Sequence, residues 1–108
     1  MRKMVTAFVD ATNRYDVASV LALFAPDALI DDPSTGHCFN GHAGIRRYIE
    51  RYFLGYQTRT RLISMERQGK GRVCVRLDFT GSFGHEIGLL DILVNSDGLI
   101  HRIDASLE

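Results

Sequence analysis

Apolar side chains recur at helical spacing along the first part of the chain and near every second position along its last part. From about Lys3 to Asn13, the placement of Met4, Val5, Phe8, Val9 and Thr12 predicts an amphipathic helix. Asn13-Arg14-Tyr15 breaks that pattern. Asp16 then stands where an N-cap belongs, its carboxylate able to accept from the first free amides of a second helix. Val17, Val20, Leu21 and Phe24 form the apolar stripe of that helix, and Pro26 follows soon after its end. Ala28 to Asp32 predicts a short strand stopped by Pro33, which cannot donate to a ladder. Ser34-Thr35-Gly36 makes a turn, and His37 to Asn40 a brief return strand. Gly41 to Phe53 predicts a third helix, with Ile45, Tyr48, Ile49, Tyr52 and Phe53 inward and Gly55 at its end.

The remainder is strand material. Arg59 to Arg67 alternates in part, whereas Val73, Val75, Leu77 and Phe79 alternate cleanly with Arg72, Cys74, Arg76 and Asp78. Gly81 to Gly84 turns the chain, Ile87 to Val94 is a further strand, and Asn95-Ser96-Asp97-Gly98 turns it again into Leu99 to Leu107. Helices first and a meander afterwards argue for an α+β domain whose helices close one side of a curved antiparallel sheet. Neither a repeat nor a linker divides residues 1–108, so one domain is expected.

Composition narrows the partners. Thirteen basic residues balance thirteen acidic ones, so no overall field favours nucleic acid, although Arg59, Arg61 and Arg67 form a local patch. The hydrophobic fraction of 45% is ordinary, and no apolar run approaches the length of a membrane span. With no signal-like core before Asp10, and with Cys38 and Cys74 read as reduced thiols, the expected setting is cytoplasmic. His37, His42 and His101 lack metal-ligand spacing, and there is no phosphate loop or nucleophile elbow; neither metal nor cofactor is expected.

The carboxylates carry the candidate chemistry. Asp91 interrupts Ile87-Gly88-Leu89-Leu90-Asp91-Ile92-Leu93-Val94, a strand apolar at both parities and so expected to be covered on both faces. A carboxylate there must be paired, hydrogen-bonded or protonated. An ion pair with Arg76 or Arg102 is one resolution; a pocket position on the face of Leu89 and Leu93, beyond reach of any arginine, is the other and the one expected. Asp31 and Asp32 precede Pro33, where aspartates commonly cap turns. Parity sends one inward, and Leu29 and Ile30 do not say which. His85 and Glu86 fit a solvated pair, and Tyr48 and Tyr52 fit core rings whose hydroxyls reach a pocket rim.

The order of parts resembles a known superfamily. Phe8, Asn13 and Asp16, then Leu23-Phe24-Ala25-Pro26-Asp27-Ala28, Asp31-Asp32-Pro33, and Asn40-Gly41 with Ile45 are similar to nuclear transport factor 2-like proteins. Within that superfamily the SnoaL-like and ketosteroid-isomerase-like groups are nearest. The resemblance runs through Leu90-Asp91-Ile92 to Asp97-Gly98-Leu99-Ile100. It implies a cone-shaped sheet on three N-terminal helices (cystatin-like) and a homodimer through the outer sheet face, here Leu90, Ile92 and Val94.

It also implies roles. The aspartate that moves a proton beside a ketone matches Asp32, and the protonated aspartate that donates to the enolate oxygen matches Asp91; this enzyme is a standard example of a carboxylic acid kept neutral by an apolar site. A further oxyanion donor, a tyrosine, matches Phe8, and its supporting tyrosines match Phe24 and Ile49, so all three hydroxyls are missing. One lost oxyanion donor costs about a hundredfold to a thousandfold in rate. The expected function is therefore an isomerase or cyclase moving protons on a small hydrophobic carbonyl compound, steroid- or polyketide-like. Its catalytic residues would be Asp32 and Asp91, in a pocket walled by Phe8, Phe24, Tyr52, Val75, Leu77, Phe79, Ile103 and Leu107. A non-catalytic ligand-binding or dimerisation module is the alternative, marked by Asp31 rather than Asp32 pointing inward or by an Asp91 paired with an arginine.

Overall fold

Val5, Phe8, Ala11 and Thr12 are the buried face of the first helix, α1 (Arg2–Asn13), in the computed structural model, which describes all 108 residues. Asp16 caps the short α2 (Val17–Leu21), accepting from the Ser19 amide at 3.1 Å. Helix α2 ends before Phe24, because Pro26 forces the residue ahead of it into extended backbone. Phe24 instead begins β1 (Phe24–Asp32), which is longer than expected.

A single 3₁₀ turn (Pro33–Thr35) leads into β2 (His37–Asn40). Helix α3 (Gly41–Ile49) then continues into a π-helical turn over Glu50–Leu54, closed by the Gly55 amide on the Glu50 carbonyl at 2.8 Å. Four strands follow: β3 (Arg59–Gly69), β4 (Arg72–Gly81), β5 (Gly84–Val94) and β6 (Ile100–Leu107). They form one sheet with β1 and β2, in the order β2-β1-β6-β5-β4-β3. Every pairing is antiparallel except β1 with β6. A parallel neighbour needs a long crossover, and here helix α3 and the four strands β2 to β5 supply it.

The core lies between the inner sheet face and the helices. Val73, Val75 and Leu77 of β4, Ile103 of β6 and Ile30 of β1 meet Phe8 of α1 with Ile45 and Ile49 of α3, all of them buried. Each such side chain contributes about 1.5–3 kcal/mol through burial.

The register of β5 overturns two expectations. Cys74 lies opposite Asp91, and directly opposed residues share a face, so Asp91 joins Arg72, Cys74 and Arg76 outside. Leu90 and Ile92, expected outside as a dimer surface, are instead 6% and 1% exposed in the core, and Val94 packs against that core. An apolar strand at both parities offers no internal sign of which parity faces in. No helix is long and apolar enough to cross a membrane.

Candidate active site

Asp32 is the last residue of β1, and the alternation of that strand sends it to the inner face with Ala28 and Ile30. It is 8% exposed. Asp31 points outward, 3.6 Å from Arg102. The turn role and the inward role coincide in Asp32. Its Oδ1 accepts from the Ser34 amide at 3.1 Å and from the Ser34 hydroxyl at 2.7 Å, which caps the 3₁₀ turn begun by Pro33. Its Oδ2 accepts from the Tyr48 hydroxyl at 2.7 Å. A carboxylate oxygen can take two donors, so Oδ2 keeps one lone pair for a ligand.

Tyr48 comes from α3, and its hydroxyl stays a donor at neutral pH. Burial, and after it the Asp32 charge, holds the phenol well above the ordinary tyrosine range. Tyr48, Tyr52 and Tyr56 follow at four-residue spacing, with centroids 5.3 and 5.9 Å apart. The π-helical turn lies across this run and brings Phe53 to the same side, 6.2 Å from Tyr48.

These residues and Asp32 line an open cavity of about 420 Å³, together with Ser34, Thr35, Thr58, Phe79, Phe83, Glu86 and Leu107. Of the expected wall, Tyr52, Phe79 and Leu107 line it. Phe8, Phe24, Val75, Leu77 and Ile103 do not: each is at most 2% exposed and fills the core below the cavity. Phe8 packs edge-on against Phe24 with centroids 6.4 Å apart, so the first helix offers the cavity no hydroxyl. Tyr56 and Phe83 line the cavity without being expected there, and so does Glu86, expected in a solvated pair with His85. The four-residue tyrosine spacing was the available signal for Tyr56; Phe83 and Glu86 arrive through the β4–β5 turn, for which the sequence has none. A second, more open groove of about 540 Å³ runs along His37, Phe39, Arg47 and Arg51 and holds none of the expected site residues.

Asp91 is absent from the cavity. Arg72 grips it on the outer face through Nε at 2.9 Å and Nη2 at 2.6 Å. The cavity therefore contains one buried carboxylate, not two. Of its lining hydroxyls, Ser34, Thr35, Tyr48 and Thr58 already donate within the protein, and those of Tyr52 and Tyr56 do not. No three His, Cys, Asp or Glu side chains converge to hold a metal ion.

Comparison with known proteins agrees with this architecture. The SnoaL-like domain model matches residues 5–103. A Sinorhizobium meliloti structure, provisionally described as a polyketide cyclase, superposes with a TM-score of 0.87 at 22% identity, covering 96% of this chain and 94% of that one. A Kribbella flavida protein, provisionally described as a ketosteroid isomerase, gives 0.86 at 20% identity over 99% and 76%. A Methylobium petroleophilum protein of unknown function with a cystatin-like fold gives 0.88 at 18% identity over 98% and 74%. At these identities the likeness is one of fold. No curated protein matches.

Proposed function

The chain belongs to the SnoaL-like domain family, and from that footing we propose that it moves a proton on a small carbonyl compound, with Asp32 as the base. The observation that supports this reading is an inward carboxylate whose Oδ2 keeps a lone pair inside an aromatic cavity. In the proposed reaction Oδ2 takes a proton from the carbon beside the carbonyl. The electron pair of the broken C–H bond moves into an enolate, and the proton returns to another carbon, for an isomerisation. In a ring closure the enolate carbon attacks a second carbonyl of the same molecule, whose π pair moves to its oxygen, and that oxygen takes the proton back from Asp32.

Tyr48 is a positioning residue, fixing the carboxylate through one hydrogen bond while Ser34 fixes it through two. The enolate oxygen requires donors, and the hydroxyls of Tyr52 and Tyr56 are the lining ones with no acceptor of their own. The two solved structures provisionally described as a cyclase and an isomerase accord with such chemistry.

The test is solvent deuterium incorporation into small cyclic enones and aryl ketones, followed by mass spectrometry, in wild type and Asp32→Asn. Exchange by the wild type that disappears in the variant supports the reading; equal exchange by both sinks it. The pairing of Asp91 with Arg72 favours the second reading, a binding module without turnover. Ligand binding with no exchange on any carbonyl probe would select that one.

A further inference from the structure

Six aromatic rings line the cavity, those of Tyr48, Tyr52, Phe53, Tyr56, Phe79 and Phe83, together with two carboxylates, Asp32 and Glu86. No lysine, arginine or histidine lines it. The chain as a whole is neutral, so this imbalance is local. Neither Asp32 nor Glu86 takes part in any ion pair, although Asp10, Asp16, Asp31, Glu50, Asp78, Asp91, Asp104 and Glu108 all do. The three donors on Asp32 are neutral groups: an amide, an alcohol and a phenol.

A buried carboxylate held only by neutral donors has its hydrogen bonds but not a counter-charge. A cleft with one sign of charge and low-dielectric walls concentrates the opposite ion. Aromatic faces attract cations as well. The rings here meet edge-on or tilted, at interplanar angles from 51° between Tyr48 and Tyr52 to 80° between Phe53 and Phe79, so no face-to-face stack closes off their π faces. The rim continues the character: Tyr56 and Phe83 are 38% and 40% exposed with centroids 5.7 Å apart, beside the exposed Glu86. Arg51, which sits 5.6 Å from the Tyr52 ring, belongs to the neighbouring groove.

We infer that the cavity selects a small organic cation, so that the carbonyl compound it takes carries an ammonium group. The inference rests on the proton-transfer reading only for the word carbonyl; the charge preference is a property of the cavity itself. An ammonium group near the reacting carbon also acidifies its C–H bond, which lessens the demand on a site with a single buried carboxylate.

The experiment compares two molecules of one shape, 3-hydroxyphenyltrimethylammonium and 3-tert-butylphenol, by calorimetric or NMR titration at low and high salt. The cation is expected to bind about tenfold more tightly than the neutral compound. Salt should weaken the first and leave the second unchanged. Glu86→Gln, an exposed substitution that leaves the core untouched, should lower cation affinity about threefold with no effect on the phenol, and Asp32→Asn should lower it further. Equal or tighter binding of 3-tert-butylphenol overturns the inference, as does a Glu86→Gln effect shared by both compounds, or no binding of either. Deuterium exchange on carbonyl probes is read separately, so either proposal can fall while the other stands.

Discussion

Tyr48 Oη donates to Asp32 Oδ2 across 2.7 Å, tying the last turn of α3 to the end of β1. This bond joins the core to the cavity, because the Tyr48 ring also meets Phe39 at 5.0 Å and Phe53 at 6.2 Å. Removing the hydroxyl alone, as Tyr48→Phe, should cost about 1.5–3 kcal/mol, the usual worth of a hydrogen bond to a charged group. Denaturant unfolding reads the loss, and a change below about 0.5 kcal/mol would show the bond to be idle.

The same residue sets an alkaline limit. Its folded pKa lies above the ordinary value of about 10, so the stability it contributes is complete below that pH and is lost as pH rises toward the folded value. Ultraviolet titration of the four tyrosines should show one that ionises last. That component should vanish in Tyr48→Phe; four equivalent phenols would contradict the assignment.

Adjacent aspartates should behave oppositely. Asp32→Asn places an amide where three donors converge, and is expected to lose turnover at a stability cost of about 1–3 kcal/mol. Asp31→Asn, on the outer face near Arg102, should leave turnover unchanged. Loss of activity in Asp31→Asn with retention in Asp32→Asn would reverse the site.

Asp91→Asn breaks a half-exposed outer pair with Arg72 and should cost no more than about 1 kcal/mol. Ligand affinity and its pH profile should match wild type. A pH dependence lost in this variant would return Asp91 to the cavity.

The wall formed by Phe79 can be moved from behind. A Cβ on Gly88 would stand 2.5 Å from Phe79 Cε2, so Gly88→Ala must push the ring away, at about 1–3 kcal/mol. Phe79 lines the cavity, so ligand affinity should fall with stability. Unaltered affinity would show that the ring yields elsewhere.

On the acid side, the Arg102 hydrogen bond holds the Asp104 carboxyl below its usual range. The unfolded chain therefore takes up this proton first. The resulting stability is present above pH about 3.9 and is lost as pH falls from there through the folded value. Both side chains are about two-fifths exposed, at 39% and 43%, which keeps the effect under about 1 kcal/mol. Asp104→Asn should flatten the acid limb of stability against pH, and an unaltered slope would contradict the pairing.

The sequence by itself determined the elements and their class. The spacing of Val5 and Phe8, the cap at Asp16, the stop at Pro33 and the clean alternation of β4 are local properties, written in neighbouring residues. Asp32 as the inward aspartate was legible only through resemblance, since Leu29 and Ile30 left the parity open. Tertiary structure decided the rest. The side of the sheet Asp91 takes depends on its register against Cys74 of β4, which an apolar strand cannot encode alone. The parallel seating of β1 beside β6 is a pairing between strands some seventy residues apart. The aromatic cavity, with Tyr48 on Asp32 and Glu86 at the rim, exists only once a π-helical turn, a 3₁₀ turn and the β4–β5 turn converge. Sequence spacing carries periodicity along one element; which faces meet is settled by packing among several.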